Sequence, residues 1–236
     1  MADDGVLTEL RARLSQIEAS IDSGGYQPGP WARLVSDLKR QPEPERRALA
    51  ADLSRVSRKL HRRRAARTVS VAAGVALEAA VVICGGVLLA AAIHSGSVLE
   101  AAAAAILWMT AFQPLMKIAI GYALGVGYEY AYLYGAEPRF KMRFGDYVAA
   151  RRAVRVVLHL GGTVGSPIGL WFAAIAVRDE LPATARALVV GAWLLLALNA
   201  VLFGFGAAGL ARVGSHRTRD TSGGAAAFEI REALGL

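Results

Sequence analysis

The chain has 236 residues, 55% of them hydrophobic, with a mean hydropathy of +0.38 and a formal net charge of +8. A soluble domain holds about 45–50% apolar residues, and this excess is concentrated in uncharged runs long enough to cross a bilayer, which excludes a soluble globular class. The arginines gather where the apolar runs begin and end, the distribution of a membrane topology signal, so no nucleic-acid partner is expected. A single cysteine, Cys84, lies inside an apolar run and excludes an intrachain disulfide.

The acidic start Met1-Ala2-Asp3-Asp4-Gly5 has no basic n-region or apolar h-region of a cleaved signal, so attachment is expected through spanning helices alone. Leu7, Leu10, Leu14, Ile17 and Ile21 then recur at three and four, one stripe of an amphipathic helix. The run Asp22-Ser23-Gly24-Gly25-Tyr26-Gln27-Pro28-Gly29-Pro30 breaks it. A second piece places Trp31, Leu34, Val35 and Leu38 on one side. A third places Leu49, Leu53, Val56 and Leu60 together, with Glu43 and Glu45 at an acidic start and a basic end that suits the helix dipole. Residues 1–61 thus form an amphipathic helical subdomain on the cytosolic side, too small for independent folding to be expected.

The basic run His61-Arg62-Arg63-Arg64-Ala65-Ala66-Arg67 opens a four-helix transmembrane domain over 62–212, followed by a cytosolic tail over 213–236. Its spans are expected at about 68–93, 101–128, 156–177 and 187–211, with the second helix running on through Tyr128, Tyr130, Tyr132 and Tyr134 into the cytoplasm. The expected fold is therefore all-α and polytopic. Lys and Arg crowd the segments before the first span, between the second and third, and after the fourth, which puts both termini in the cytoplasm of a bacterial inner membrane. Trp108, Trp171 and Trp193 fall towards the outer ends and the tyrosines at the inner end, as two interfacial belts.

Charge and polarity inside spans are costly and mark candidate sites. Glu78 lies in the first span. Thr110, Gln113 and Lys117 share a face of the second, His159, Thr163 and Ser166 a stripe of the third, and Asn199 lies near the middle of the fourth. Together they compose a candidate intramembrane polar site able to bind an anionic or protonatable group. The same residues also suit a structural role, a Glu–Lys pair fixing helix register and an Asn bonding between helices. Gly161, Gly165 and Gly169 repeat every four residues, as Gly121 and Gly125 do, and are expected to pack the second helix on the third. Pro114 and Pro167 are expected to kink their helices.

In Arg139-Phe140-Lys141-Met142-Arg143-Phe144, cations and apolar groups alternate. If extended, this segment turns its rings to the membrane interface and its cations to phosphates. Arg139, Lys141, Arg143, Arg151, Arg152 and Arg155 are accordingly the candidate headgroup-binding set. No phosphate loop, zinc-protease helix, nucleophile elbow or metal-ligand spacing is present, so no catalytic residue, metal or cofactor is assigned. The expectation is a membrane protein that binds or transports a lipid or amphiphilic anion from the cytoplasmic leaflet, with anionic lipids as partners and a homo-oligomer compatible with only four spans. The alternatives are a noncatalytic scaffold recruiting a cytosolic protein through residues 1–60, and an intramembrane lipid-modifying enzyme.

Overall fold

A computed structural model of the chain describes residues 4–62, 67–134, 137–210, 212–213, 216–217 and 222–234. The first three residues, residues 63–66 of the basic run and residues 218–221, Arg219 among them, lie outside that description. In chain order the elements are α1 (Asp4–Asp22), α2 (Pro28–Arg40), α3 (Glu43–Ala48), α4 (Ala50–Arg62), β1 (Thr68–Val69), α5 (Val71–Ser95) and α6 (Val98–Ala123). There follow β2 (Tyr128–Tyr134), β3 (Glu137–Met142), α7 (Phe144–Ala149), α8 (Arg152–Val177), α9 (Pro182–Ala207), β4 (Arg212–Val213), β5 (His216–Arg217) and α10 (Ser222–Leu234). They divide into two compact units, Met1–Val69 with Gly125–Arg151, and Ser70–Leu124 with Arg152–Leu236.

The first unit begins as its periodicity predicts. Leu7, Leu10, Leu14, Ile17 and Ile21 of α1 are buried, with Leu34 and Leu38 of α2 and Leu53 and Val56 of α4. Ion pairs tie the helices around that core: Arg13 to Asp37 at 2.7 Å between α1 and α2, and Arg55 to Glu18 at 2.9 Å between α4 and α1. The remainder of this unit was not expected. Strands β2 and β3 form an antiparallel hairpin, with Ala131 opposite Phe140 and Tyr132 opposite Arg139, and β1 pairs along the other edge of β2. Helix α7 then packs on α4 so closely that a Cβ on Gly145 would overlap the backbone of Ala50, and the Gly145 amide donates to Ser54 Oγ at 2.9 Å. The boundary expected at 61 therefore gives way to a unit assembled from two chain segments.

One expectation is corrected here: the second spanning helix does not continue through Tyr134 but stops at Ala123. The chain is predominantly helical, consistent with the all-α class expected, and carries in addition a small three-stranded sheet. The stop is local. Gly125 takes φ +77, in the left-handed region that ends helices, which also removes it from any helix-packing pair with Gly121. Beyond it, tyrosine at every second position is the period of a strand, in a residue type that favours strands.

The second unit holds four helices, α5, α6, α8 and α9, long and apolar enough to cross a membrane, and they mark the chain as an integral membrane protein. At 25 or 26 residues each they extend roughly 38 Å, enough for a hydrocarbon core of about 30 Å. Ser70 caps α5 by accepting from the Ala73 amide at 3.1 Å, and Gly96 at φ +72 ends it. Ser97 caps α6 by accepting from the Glu100 amide. Over half of the apolar window of α8 is buried, against 6% of that of α9, so α8 is central and α9 presents Val190, Trp193, Leu194 and Leu198 outward. The C-terminal helix α10 belongs to this unit, packed on α8 and α9, where a separate tail was expected.

Candidate functional site

The intramembrane stripe comes together as a helix interface. Built onto Gly165, a Cβ would lie 2.6 Å from Gln113 Cα, and onto Gly169, 2.6 Å from the Trp108 carbonyl oxygen. At Gly161 it would strike the Ile120 side chain. The glycine repeat thus brings the backbones of α8 and α6 together in antiparallel register, the packing expected of it. Ser166 Oγ bridges the same seam by donating to the Met109 carbonyl at 2.9 Å.

Thr110, Thr163 and Asn199 bond within their own helices. Thr110 Oγ1 donates to the Ile106 and Leu107 carbonyls, Thr163 Oγ1 to Leu160, and Asn199 Nδ2 to Leu195 at 2.9 Å. Asn199 therefore spends this donor inside α9. Glu78 is buried, on the stripe of α5 that also carries Gly74, Gly85, Leu89 and Ala92. Gln113, Lys117 and His159 are half-buried. Trp108 covers Gly85 and donates its indole N–H to the Val82 carbonyl at 2.8 Å, linking α6 to α5. Trp171 and Trp193 do stand together, ring centroids 5.6 Å apart.

The headgroup set divides. Arg155 is corrected outright: its Nε donates to Glu229 Oε2 at 2.7 Å, with the two side chains 3% and 7% exposed, so the guanidinium is a buried tie between α8 and α10. Lys141 is corrected too. Its ammonium donates to Ser57 Oγ at 2.7 Å and lies over the Phe144 ring, and burial pulls its pKa down to about 8. Arg143 stays half exposed beside Asp146 at 3.5 Å, and Arg151 is 82% exposed and 3.6 Å from Glu43. Arg152 is exposed, and Arg139 is half-buried on β3.

Residues 139–142 are indeed extended, the conformation in which alternation separates cations from rings. Phe144, however, begins α7 and packs on Trp31 and Tyr147.

Sequence reasoning missed three features. One is an aromatic cluster on the α4 side of the sheet, where His61 Nδ1 lies 2.9 Å from Tyr130 Oη and its ring meets Tyr132 edge-on at 4.4 Å. Beside it, Arg58 makes a two-pronged contact with the Glu129 carboxylate at 3.1 and 3.2 Å. The second is the Ser97…Glu100 spacing at the start of α6, a capping-box signature legible in the sequence. The third is a groove of about 250 Å³ between α1 and α2, lined by Arg13, Gln16, Ile17, Ser20, Pro30 and Arg33. Arg13 is held by Asp37, while Arg33 is exposed at the wall. No pattern in the sequence announces it, because its two walls come from separate helices.

Among the described residues, no group of three His, Cys, Asp or Glu side chains is placed to hold a metal ion. Comparison with protein-family models, with curated proteins and with solved structures finds no match to this chain.

Proposed function

We propose that the protein is a membrane-anchored recruitment protein, whose first unit is displayed at the cytoplasmic surface and binds an acidic segment of a protein partner. The observation that carries this reading is the assembly of that unit from the segments flanking the α5–α6 helix pair. Two consecutive spans return the chain to the side it left, so a single folded unit made from both flanks is presented on one side. The basic segments support a cytoplasmic position for that side at a bacterial inner membrane, with both termini there. The groove between α1 and α2, with Arg33 exposed at its wall, suits a carboxylate-bearing side chain.

A photo-crosslinking residue in place of the exposed Gln16, used in the native host, tests it. A discrete protein adduct that disappears in Arg33→Glu is the expected result. An adduct indifferent to charge reversal, or none beyond lipid, removes the reading. Deleting residues 1–60 would be a poor substitute, because α7 packs on α4 and would lose its support.

The lipid reading stands second, favoured by exposed Arg151 and Arg152 at the start of α8, where a leaflet's phosphates would be met. Passage of a substrate between α6 and α8 is opposed by their backbone contact at Gly165 and Gly169. Binding at the helix ends is the form of this reading that survives. Native mass spectrometry should then show anionic-lipid adducts that weaken in the Arg151→Gln, Arg152→Gln double variant. Equal adducts in both proteins would remove it.

A further inference from the structure

The three-stranded sheet has two unlike faces. Strand register places Thr68, Tyr132 and Arg139 on one side, with Tyr130 and Lys141 beside them, and this side meets α4 through His61 and Ser57. The opposite side carries Val69, Ala131 and Phe140 in one rung and Leu133 with Pro138 in the next. The register irregularity between Tyr128 and Tyr130 brings Tyr128 onto this second side as well, its ring edge-on to Phe140. That face carries no charged residue among the described residues. At one end it leaves Val69 51% and Leu133 53% exposed, with exposed Arg67 next to β1 at its rim.

Tyr128 and Ala131 are buried, so the open part of this face is its Val69–Leu133 end with half-buried Pro138 and Phe140, and apolar side chains grouped and exposed in this way mark an interaction surface. Chain connectivity says which one. Val69 is followed directly by Ser70, the cap of α5, whose apolar span begins at Val71. Strand β2 starts at Tyr128, five residues beyond the end of α6 at Ala123, a separation that an extended chain spans with at most about 18 Å. Two neighbouring strands are thus tethered to the ends of two consecutive membrane spans. An exposed apolar sheet end with an arginine at its rim suits the headgroup–acyl boundary.

We propose that the face formed by Val69, Leu133, Pro138 and Phe140 docks on the surface of the bilayer that the four helices cross, with Arg67 set against lipid phosphates. This docking is independent of which partner, if any, the α1–α2 groove takes.

The test uses the full chain in lipid nanodiscs, with Cys84→Ser as background and an environment-sensitive fluorophore on Leu133→Cys, on Val69→Cys, or on Ser23→Cys in the exposed turn after α1. Emission from Leu133 and Val69 is expected to shift to the blue and to be quenched by a nitroxide placed on the lipid just below the headgroup. Emission from Ser23 should remain water-like and be quenched by iodide. Adding phosphatidylglycerol to a phosphatidylcholine disc should strengthen nitroxide quenching at the sheet, and Arg67→Gln should cancel that gain. Water-like emission at both sheet positions overturns the proposal. So does a blue shift without nitroxide quenching, which would mean that protein, either a second copy or a partner, covers the face. Both sheet positions are exposed, so the two labelled variants are expected to fold, and agreement between them guards against a perturbation by either one.

Discussion

Arg155 and Glu229 form an ion pair at 2.7 Å that is almost wholly withdrawn from water, joining the first turns of α8 to the C-terminal helix α10 across 74 residues of sequence. Removing one partner of such a pair strands the other charge, at a cost of about 3–5 kcal/mol, whereas replacing both by apolar groups of similar size is often neutral. Arg155→Ala or Glu229→Ala should therefore lower the melting temperature in detergent and expose α10 to hydrogen exchange. The double variant Arg155→Met, Glu229→Met should recover most of the loss. A thermal-shift series with exchange mass spectrometry checks both. If the single variants melt like the parent, the pair does not hold α10.

The contact between α6 and α8 predicts a difference among glycines. Gly165→Ala places a methyl against the backbone of Gln113 and Phe112, and Gly169→Ala against Trp108. Each should cost about 1–3 kcal/mol through forced separation of the helices. Gly204→Ala in α9 meets nothing within 4 Å and should be tolerated. Unfolding in mixed micelles measures all three, and equal behaviour would contradict the packing described.

Beside the β1–β2 pairing and the Arg58–Glu129 and Lys141–Ser57 contacts, one close backbone approach joins the two distant segments of the first unit. Gly145→Ala sets a Cβ against the Ala50 carbonyl, and Ser54→Ala removes the acceptor for the Gly145 amide. The first should be severely destabilising, and the second should cost about 1–3 kcal/mol for an unsatisfied buried amide. Limited proteolysis of both α4 and the 125–151 segment should accelerate together. Cleavage confined to one segment would show that they do not fold as one.

Lys141 gives the first unit a pH signature. Burial holds its folded pKa at about 8, below the ordinary 10.5, so between these values the unfolded chain binds a proton that the folded chain does not. Stability should then rise with pH across that window. Below pH 8 the buried charge exerts its full cost, and by pH 9.5 relief on the order of 2 kcal/mol is expected. Burial raises the pKa of Tyr130, which works in the opposite direction at higher pH, so the scan belongs below 10. Chemical denaturation from pH 7 to 9.5 should show the rise in the parent and a flat profile in Lys141→Met.

The sequence by itself determined the membrane class, the four spanning helices and the amphipathic faces of α1, α2 and α4. Each of these follows from periodicity and apolar length within one contiguous stretch, and burial against any apolar partner satisfies them. The glycine repeat likewise announced a close helix contact, because only a missing Cβ permits one. The end of the second span was legible in principle: Gly125 and the alternating tyrosines carry a stop and a strand period, but an apolar run entering from α6 resembles a helix that simply continues.

Only the tertiary structure decided the rest, because it concerns which distant groups meet. Nothing near Arg155 in the sequence indicates that a carboxylate 74 residues later neutralises it, nor does anything beside Lys141 point to Ser57. Both were legible as cations and illegible as internal ties. A charge's role is set by the partner and the dielectric that surround it, and these are supplied by other segments of the chain. The same holds for the sheet: its alternation is written locally, but β1 and β2, separated in sequence by α5 and α6, become neighbours only in the folded unit.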